Sequence, residues 1–232
     1  LIVNGQFVGY AEDSFTPSSF DITIYLNEGI NRISVVVPKY STASWLEDQD
    51  FWRFNGIFRS VELITLPKVH LKDLFITHDL IHDYTDAQVA IDFTSTVDAG
   101  TYRYEILDQT GNSVYASDDH DLKLENHSST LLEAVDLWSA EDPNLYTCVL
   151  RLYDEAGELQ EIVEQRIGFR SFEMIDNIMS INGKRIVFKG VNRHEFNHRH
   201  GRVVTEADMV WDVQFLKQHN FNAVRTSHYP NN

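Results

Sequence analysis

Residues 185–230 read RIVFKGVNRHEFNHRHGRVVTEADMVWDVQFLKQHNFNAVRTSHYP, and a change of rhythm within them decides the fold. An apolar run, residues 185–188, follows a hairpin signal at Asn182-Gly183 and precedes a polar stretch, residues 190–204, that we interpret as a loop. A helical pattern comes next, and Ala223-Val224-Arg225 forms the following short strand. Strand, loop, helix and strand in this order predict a βαβ unit with two parallel strands.

The helix between the two strands has start and stop signals. Thr205 is predicted as its N-cap, Asp208 lies at the third helical position, and Asn220 ends the pattern. Apolar side chains recur at the i, i+4 and i+7 spacing of one helix face: Met209, Val213 and Leu216.

Polar side chains follow both predicted strands. Asn192-Arg193-His194-Glu195 come after the first strand, and Thr226-Ser227-His228-Tyr229 come after the second. A βαβ crossover is nearly always right-handed, so both segments emerge at the same edge of the sheet. In α/β barrels, substrates bind at that edge. The spacing therefore predicts a site there without naming a reaction.

Residues 67–168 have a different pattern, with short strands about ten residues apart. Residues 87–93 alternate, with Ala87, Val89, Ile91 and Phe93 on one side. Turn signals occur at residues 108–111 and 154–157. This spacing and length predict an immunoglobulin-like β-sandwich.

Residues 1–66 also carry short β patterns. Asn4-Gly5 separates two short apolar runs and predicts a hairpin. Residues 20–26 alternate with period two, and residues 33–37 begin another apolar run. We interpret this segment as part of an antiparallel sandwich that is too small to close its own core.

Composition limits the class of protein. The net charge of −16 disfavours binding to nucleic acid or to an anionic membrane, whereas a neutral sugar meets no such penalty. The single cysteine, Cys148, rules out an internal disulfide and is compatible with the cytoplasm. It shares an apolar strand face with Leu150 and Leu152, so we expect a buried thiol. Leu1 already begins a strand, so we expect an internal piece of a longer protein.

His194-Glu195-Phe196-Asn197-His198 fits the H-E-x-x-H pattern of zinc peptidases. That mechanism requires a helix, because only a helix aims both imidazoles at one zinc ion. The stretch follows a strand and has no apolar face, and Val204 occupies the place of a third ligand. We therefore do not interpret it as a zinc site.

Four stretches resemble glycoside hydrolase family 2. They are residues 221–230 (FNAVRTSHYP), which resemble the first signature of the family, residues 46–59 (LEDQDFWRFNGIFR), residues 138–146 (WSAEDPNLY) and residues 189–195 (KGVNRHE). The resemblance implies a mainly β, multidomain chain: a partial jelly-roll sugar-binding domain over 1–66, an immunoglobulin-like sandwich over 67–168, and the first β/α unit of a TIM barrel over 169–232. The acidic stretch before Trp52 favours the β-galactosidases over the β-glucuronidases and β-mannosidases of the family.

The family cleaves β-galactosides such as lactose with retention. One glutamate acts as acid and base and another as nucleophile, with carboxyl groups about 5–5.5 Å apart. The resemblance places both glutamates on later barrel strands, and Glu195 is neither of them. We therefore expect this chain to lack both catalytic residues and to be inactive alone.

The resemblance also implies roles for residues in this chain. Asp50 would bind a galactose hydroxyl and a sodium ion, with Asp48 as the second choice. His194 and His228 would bind galactose hydroxyls. Arg225 would lie beside the nucleophile and keep that carboxylate ionised. The magnesium ligands of the family are expected elsewhere in the whole protein.

Alternatives remain open at this stage. One alternative is that the whole protein is another family 2 glycosidase, a β-glucuronidase or a β-mannosidase. The other is that the chain is a non-catalytic carbohydrate-binding or assembly module. The first interpretation implies a β-galactoside as substrate, a cytoplasmic location and an oligomeric whole protein, with no nucleic acid or membrane partner.

Overall fold

A computed structural model describes residues 1–47, 52–123 and 126–232, and its mainly β content confirms the predicted class. In this described part, the α-helix α1 spans Glu206–Gln218. The strands are, in chain order, β1 (Ile2–Val3), β2 (Gln6–Phe7), β3 (Ile33–Ser34), β4 (Leu71–Ile81), β5 (Asp86–Ser95), β6 (Thr101–Leu107), β7 (Ser113–Ala116), β8 (His120–Asp121), β9 (His127–Leu132), β10 (Tyr146–Tyr153), β11 (Leu159–Ile167), β12 (Phe172–Ile175), β13 (Ile178–Ile181), β14 (Lys184–Arg185), β15 (Gly190–Arg193) and β16 (Ala223–Thr226). None of the helices described here is long and apolar enough to cross a bilayer.

The chain forms two compact units. The first combines Leu1–Glu62 with Lys189–Asn232, and the second is Leu63–Phe188. The first unit is therefore discontinuous in sequence. The three domains predicted above divide the chain by fold rather than by compactness, and their boundaries stay a prediction.

The second unit contains the predicted sandwich. One sheet has the order β11-β10-β6-β7, with β8 also paired to β6, and the other has the order β4-β5-β9. The alternation in residues 87–93 is confirmed, because its apolar side faces the core and each of those side chains is at most 4% exposed. Each buried aliphatic or aromatic side chain contributes about 1.5–3 kcal/mol. The other sheet and the segment after it supply Tyr102, Tyr104, Ile106, Cys148, Leu150, Leu152 and Phe169.

Two predicted turns of the sandwich are confirmed, and the same kind of hydrogen bond stabilises both. Gly111 and Gly157 have positive φ angles of 85° and 80°. Each turn begins with an aspartate whose carboxylate accepts backbone N–H groups further along the turn. Asp108 accepts from Thr110 at 2.8 Å, and Asp154 accepts from Ala156 at 3.0 Å. These side chains replace hydrogen bonds that the turning backbone cannot make with itself.

The predicted hairpin at Asn182-Gly183 joins β13 to β14, but the strand after it is shorter than expected. β14 ends at Arg185, and residues 186–188 form no strand. The parallel strand is instead β15, which begins at Gly190 within the predicted loop and pairs with β16. The prediction that residues 190–204 are all loop was therefore wrong, because the first four of them form β15. Glycine suits that position because the backbone of β16 lies very close to it.

Helix α1 begins as predicted. Thr205 accepts a hydrogen bond from the Asp208 N–H, and the Asp208 carboxylate accepts from the Thr205 N–H at 2.9 Å. The predicted apolar face is wrong at Val213, whose side chain is 64% exposed. Asp212 is less exposed and binds Arg193 at the end of β15. The partly buried positions of the helix are 208, 209, 212 and 216, so the face that carries Asp212 is the one turned toward the protein.

The sheet at the start of the first unit is small and antiparallel, with the order β2-β1-β3. The predicted hairpin between β1 and β2 is confirmed, because Asn4 and Gly5 both have positive φ angles. The Asn4 side chain also holds the turn by donating to the carbonyl of Tyr25 and to Asn31. This piece contributes few buried side chains of its own.

Two strand predictions in this segment were wrong. Residues 20–26 contain a 3₁₀ helix, Thr23–Tyr25, rather than a strand. The Asp21 carboxylate accepts the Thr23 N–H at 2.9 Å and so favours a tight turn over an extended chain. The apolar run at 33–37 is strand only over its first two residues, β3.

Candidate sugar-binding site

The site is built on the parallel pair of β15 and β16. Asn192 lies opposite Arg225 and Arg193 opposite Thr226, so both strands end at the same level. The Ser227 N–H then donates to the Arg193 carbonyl at 3.0 Å and extends the pairing by one residue. The residues that follow each strand therefore emerge side by side, as the predicted crossover requires.

The structure brings together the two predicted histidines. The ring centroids of His194 and His228 lie 6.0 Å apart, with the ring planes at 79°. His228 is exposed and follows a cis peptide bond, whereas His194 is partly buried. Among the described residues, Nδ1 of His194 is buried without a hydrogen-bond partner. Two imidazoles at this separation can each contribute a nitrogen to a ligand bound at the strand ends.

Tyr229 lies behind the two histidines and is only 8% exposed. Its ring stacks on Phe15, with centroids 4.4 Å apart, and lies 6.0 Å from the ring of His194. Its hydroxyl accepts the Glu195 N–H at 3.0 Å. The tyrosine therefore fixes the backbone of the first strand-end loop against the second. This arrangement indicates a supporting role for Tyr229 rather than a direct contact with a ligand.

Arg225 is the third of the four residues of β16, and it is exposed. Its Nη1 donates to the Asn192 side-chain oxygen at 3.4 Å, across the parallel pair. This weak contact leaves most of the guanidinium donors available to another group. The geometry is compatible with a cation that supports a carboxylate at the strand ends.

Asp50, the predicted sodium and galactose ligand, and its alternative Asp48 lie outside the described residues. The described segment resumes at Trp52, whose ring lies 5.3 Å from that of Phe196. Arg202 donates to the Trp52 carbonyl at 3.5 Å. The described segment that begins at Trp52 therefore lies against the loop that follows β15.

The H-E-x-x-H stretch is not helical, so it lacks the structure that the zinc-peptidase motif requires. Asn197 and Gly201 instead exchange two backbone hydrogen bonds of 2.7 and 2.8 Å and close a tight turn. His194 and His198 thus do not share one helix face. Within the ranges that the structure describes, no three His, Cys, Asp or Glu side chains are placed to hold a metal ion.

One feature of the site was missed by sequence reasoning. The Glu195 carboxylate, 6% exposed, forms an ion pair with Arg59 at 2.8 Å, although the two residues are 136 positions apart. No periodicity or motif links them. Only the folded first unit, which joins the two ends of the chain, brings these charges together.

Three family models match consecutive parts of the chain. The sugar binding domain of glycosyl hydrolases family 2 matches residues 1–67, a further model of the same family matches residues 69–170, and its TIM barrel domain matches residues 172–232. Together they leave out only residues 68 and 171.

Curated relatives agree with these matches. A β-galactosidase of Clostridium acetobutylicum is 52% identical over 99% of this chain, which covers 26% of that relative. The β-galactosidase of Streptococcus thermophilus is 50% identical, with 99% and 22% covered. The large subunit of the Lactobacillus acidophilus β-galactosidase is 44% identical, with 99% and 37% covered. The chain thus spans about a quarter to a third of the length of these relatives.

Solved structures share the fold. A β-glucuronidase from Ruminococcus gnavus in complex with D-glucuronic acid has a TM-score of 0.80 at 23% identity, with 98% of this chain and 41% of that chain covered. A complex of the same enzyme with an N1-substituted uronic isofagomine has a TM-score of 0.69 at 27% identity, with 78% and 30% covered.

Proposed function

Because this chain belongs to glycosyl hydrolases family 2, we propose that the whole protein of which it is part hydrolyses terminal β-D-galactosides, such as lactose, with retention. The observation that carries the proposal is the pair of imidazoles from His194 and His228, 6.0 Å apart at the carboxyl ends of β15 and β16. In barrels, that edge is where substrates bind. This chain would supply part of the sugar-binding site.

Each imidazole has a nitrogen suited to a sugar hydroxyl, because a neutral ring both donates and accepts hydrogen bonds. The exposed ring of His228 supports this role, because its nitrogens can be reached by a ligand. Hydrogen bonds that shorten as charge develops on the sugar would stabilise the transition state more than the bound substrate.

Arg225 is proposed to support the nucleophilic glutamate. A nearby guanidinium lowers the pKa of a carboxylate and keeps it ionised for attack. Its single weak contact, to Asn192, leaves donors for that purpose. The two catalytic glutamates are proposed to lie on barrel strands beyond those of this chain.

A sodium ion and a magnesium ion in the whole protein remain part of the proposal. Asp50 would contribute one oxygen to the sodium ion, as the family resemblance implies. The described residues contain no metal-binding cluster for magnesium, so its ligands would come from elsewhere in the whole protein. No step of the reaction is assigned to either ion.

The galactoside is favoured over a glucuronide by similarity. The relatives named β-galactosidase are 42–52% identical over 98–99% of the chain, whereas the β-glucuronidase structures share the fold at 22–28% identity. A cytoplasmic location is also proposed, because one buried thiol requires no oxidising compartment. We also propose that the whole protein is oligomeric, as the family resemblance implies.

The test is a panel of nitrophenyl glycosides offered to the whole protein. We expect turnover of the β-galactoside, with slower or no turnover of the β-glucuronide and β-mannoside. Preference for either of the other sugars would replace the proposed substrate. The 232-residue chain alone should show no turnover, because loss of acid–base catalysis alone costs about 10²–10⁴-fold. Binding without turnover by the whole protein would instead favour a carbohydrate-binding module.

A further inference from the structure

Glu195 carries a buried carboxylate directly after His194, and both of its oxygens are occupied. Oε2 accepts a hydrogen bond from Nη2 of Arg59 at 2.8 Å, and Oε1 accepts the Asn232 N–H at 2.9 Å. A carboxylate that is 6% exposed would be costly without such partners. Because both oxygens are occupied inside the protein, this glutamate is not available to attack or protonate a substrate.

The partner of Glu195 joins three segments of the chain. The second contact of Arg59 Nη2 is the Pro230 carbonyl, at 2.7 Å, and Nη1 donates to the Phe15 carbonyl. The planar guanidinium presents its donors in a fixed fork, so one side chain can bind acceptors from several directions. Arg59 therefore holds the segment after β16 and the loop after β15 against the segment around Phe15.

A second arginine extends this arrangement on the other side of Glu195. Arg193 Nε donates to the Asp212 carboxylate at 2.8 Å, and its Nη1 donates to the Asn231 side-chain oxygen at 3.2 Å. The same Nη1 lies 3.7 Å from Oε1 of Glu195. Asp212, Arg193, Glu195 and Arg59 thus form a row of alternating charges, which we call the charge row.

Members of the charge row flank one histidine of the candidate site in sequence and contact the chain close to the other. His194 lies between two of its members, Arg193 and Glu195. His228 lies two residues before Pro230, whose carbonyl Arg59 holds. Side-chain positions in a binding site depend on such supporting contacts, because a rotamer is fixed only when its backbone is fixed.

We propose that Glu195 is a positioning residue that sets the separation of His194 and His228 by tying both strand-end loops to Arg59. This inference rests on the proposed function of the two histidines in sugar binding. It assigns to the glutamate an effect on ligand affinity rather than on the chemical step.

The test compares variants of the whole protein with a thio-β-galactoside, which binds without being hydrolysed. In Glu195→Gln, the acceptor for the Asn232 N–H remains and the charge that holds Arg59 is lost. We expect the dissociation constant of the thiogalactoside and the KM for a nitrophenyl β-galactoside to rise together, on the order of tenfold. Measurements are made well below the unfolding temperature.

A matched control separates positioning from stability. Glu173 also accepts two side-chain hydrogen bonds, from Tyr84 at 2.8 Å and Ser171 at 2.6 Å, in the other compact unit. Glu173→Gln should leave the dissociation constant and KM unchanged. A purely structural role for Glu195 would lower the amount of folded enzyme, and hence the apparent kcat, at constant KM and dissociation constant. That result would overturn the inference.

A second variant covers the case in which Glu195→Gln does not fold. Arg59→Lys keeps the charge, but an ammonium group cannot reach all three acceptors in the geometry of the fork. We expect it to weaken thiogalactoside binding as well, and the double variant to add little to the stronger single effect. If the effects of the two substitutions on thiogalactoside binding were fully additive, the two side chains would act independently, and the inference would be contradicted. An unsubstituted protein that cleaves no β-galactoside would contradict the proposed function, whereas unchanged affinity in the variants of an active protein would contradict only the inference.

Discussion

Gly190 faces Ala223 across the parallel strands so closely that a side chain at Gly190 would collide with the neighbouring backbone. A Cβ atom at Gly190 would lie 3.0 Å from the Ala223 carbonyl oxygen and 3.2 Å from the Ala223 Cβ. The carbonyl oxygen cannot withdraw unless the strand moves with it. The glycine therefore sets the distance between the two strands that carry the candidate site.

Replacing this glycine should destabilise the first unit. Gly190 has no positive φ angle, so Gly190→Ala would ordinarily stabilise the protein by about 0.4–1 kcal/mol through the unfolded state. The close contact should reverse this sign, since overpacking costs about 1–3 kcal/mol. Thermal unfolding of the whole protein measures the difference. Gly190→Ala combined with Ala223→Gly, which removes one of the three close contacts that an added Cβ would make, should recover part of the loss. An unchanged midpoint in the single variant would count against the close approach.

The role of His228 is tested by a change that keeps an aromatic ring but removes both nitrogens. His228→Phe in the whole protein should lower kcat/KM for a β-galactoside by about 10²–10³-fold, the usual cost of losing one hydrogen bond to the transition state. The matched control is His219→Phe at the end of α1, where the ring packs on Phe215. That change should leave kcat/KM within about twofold. Equal effects of the two substitutions would remove His228 from the site.

The N-terminal cap of α1 makes the folding stability of the protein depend on pH. Hydrogen bonds from the Thr205 side chain and backbone N–H hold the pKa of Asp208 below its ordinary value of 3.8. The resulting stabilisation is present above that value and is lost as the pH falls through the lower, folded pKa. Thr205→Ala should cost about 1 kcal/mol at neutral pH and weaken this acid dependence.

Unfolding of the 232-residue chain at several acidic pH values measures both effects. Thr205→Ser, which keeps the hydroxyl, is the control and should behave like the unsubstituted chain. A Thr205→Ala chain with the original stability and the original acid profile would show that the cap contributes nothing.

Cys148 should make the sandwich sensitive to alkali. Burial raises the pKa of this thiol from 9.0 to about 12. Between these values the unfolded chain releases a proton that the folded chain retains, so stability falls as the pH rises above 9, by roughly 1 kcal/mol per pH unit. Chemical denaturation of the 232-residue chain from pH 8 to 10 measures the slope.

The matched variant for this slope is Cys148→Val, which keeps an apolar side chain without a titrating proton. Burial also raises the pKa of Tyr104, but tyrosine begins to contribute only near its ordinary value of 10.0, so the slope around pH 9 isolates the thiol. A variant that keeps the full slope would assign it to another group. In the folded chain, the thiol should also resist alkylation at neutral pH.

Local pattern was sufficient to predict the elements that local interactions determine. The alternation of residues 87–93 predicted a buried strand face, because the two faces of a strand differ in burial. The Thr205-to-Asp208 spacing predicted the start of α1, and Asn182-Gly183 predicted a hairpin, because side-chain capping and positive φ angles depend on adjacent residues. The structure agrees with all three.

One local interaction and two nonlocal ones explain what the pattern did not predict. Residues 20–26 alternate like a strand, but the Asp21 carboxylate turns the chain at Thr23. β15 begins at Gly190 rather than in the apolar run before it, because pairing with β16 decides where that strand starts. The ion pair of Arg59 and Glu195 depends on the fold of the whole first unit. The location of the two histidines near the strand ends was predicted, because His194 directly follows β15 and His228 lies two residues after β16.

The discontinuity of the first unit has a consequence for biosynthesis. The ribosome completes the sandwich sequence, Leu63–Phe188, before it makes the second half of the first unit. Arg59 must therefore wait for Glu195, 136 residues later, which takes about 7–27 s at 5–20 residues per second. At the end of that interval the nascent chain holds a completed sandwich sequence and the segment Leu1–Glu62, which still lacks the second half of its unit. A chaperone that shields apolar strands would act on that segment first.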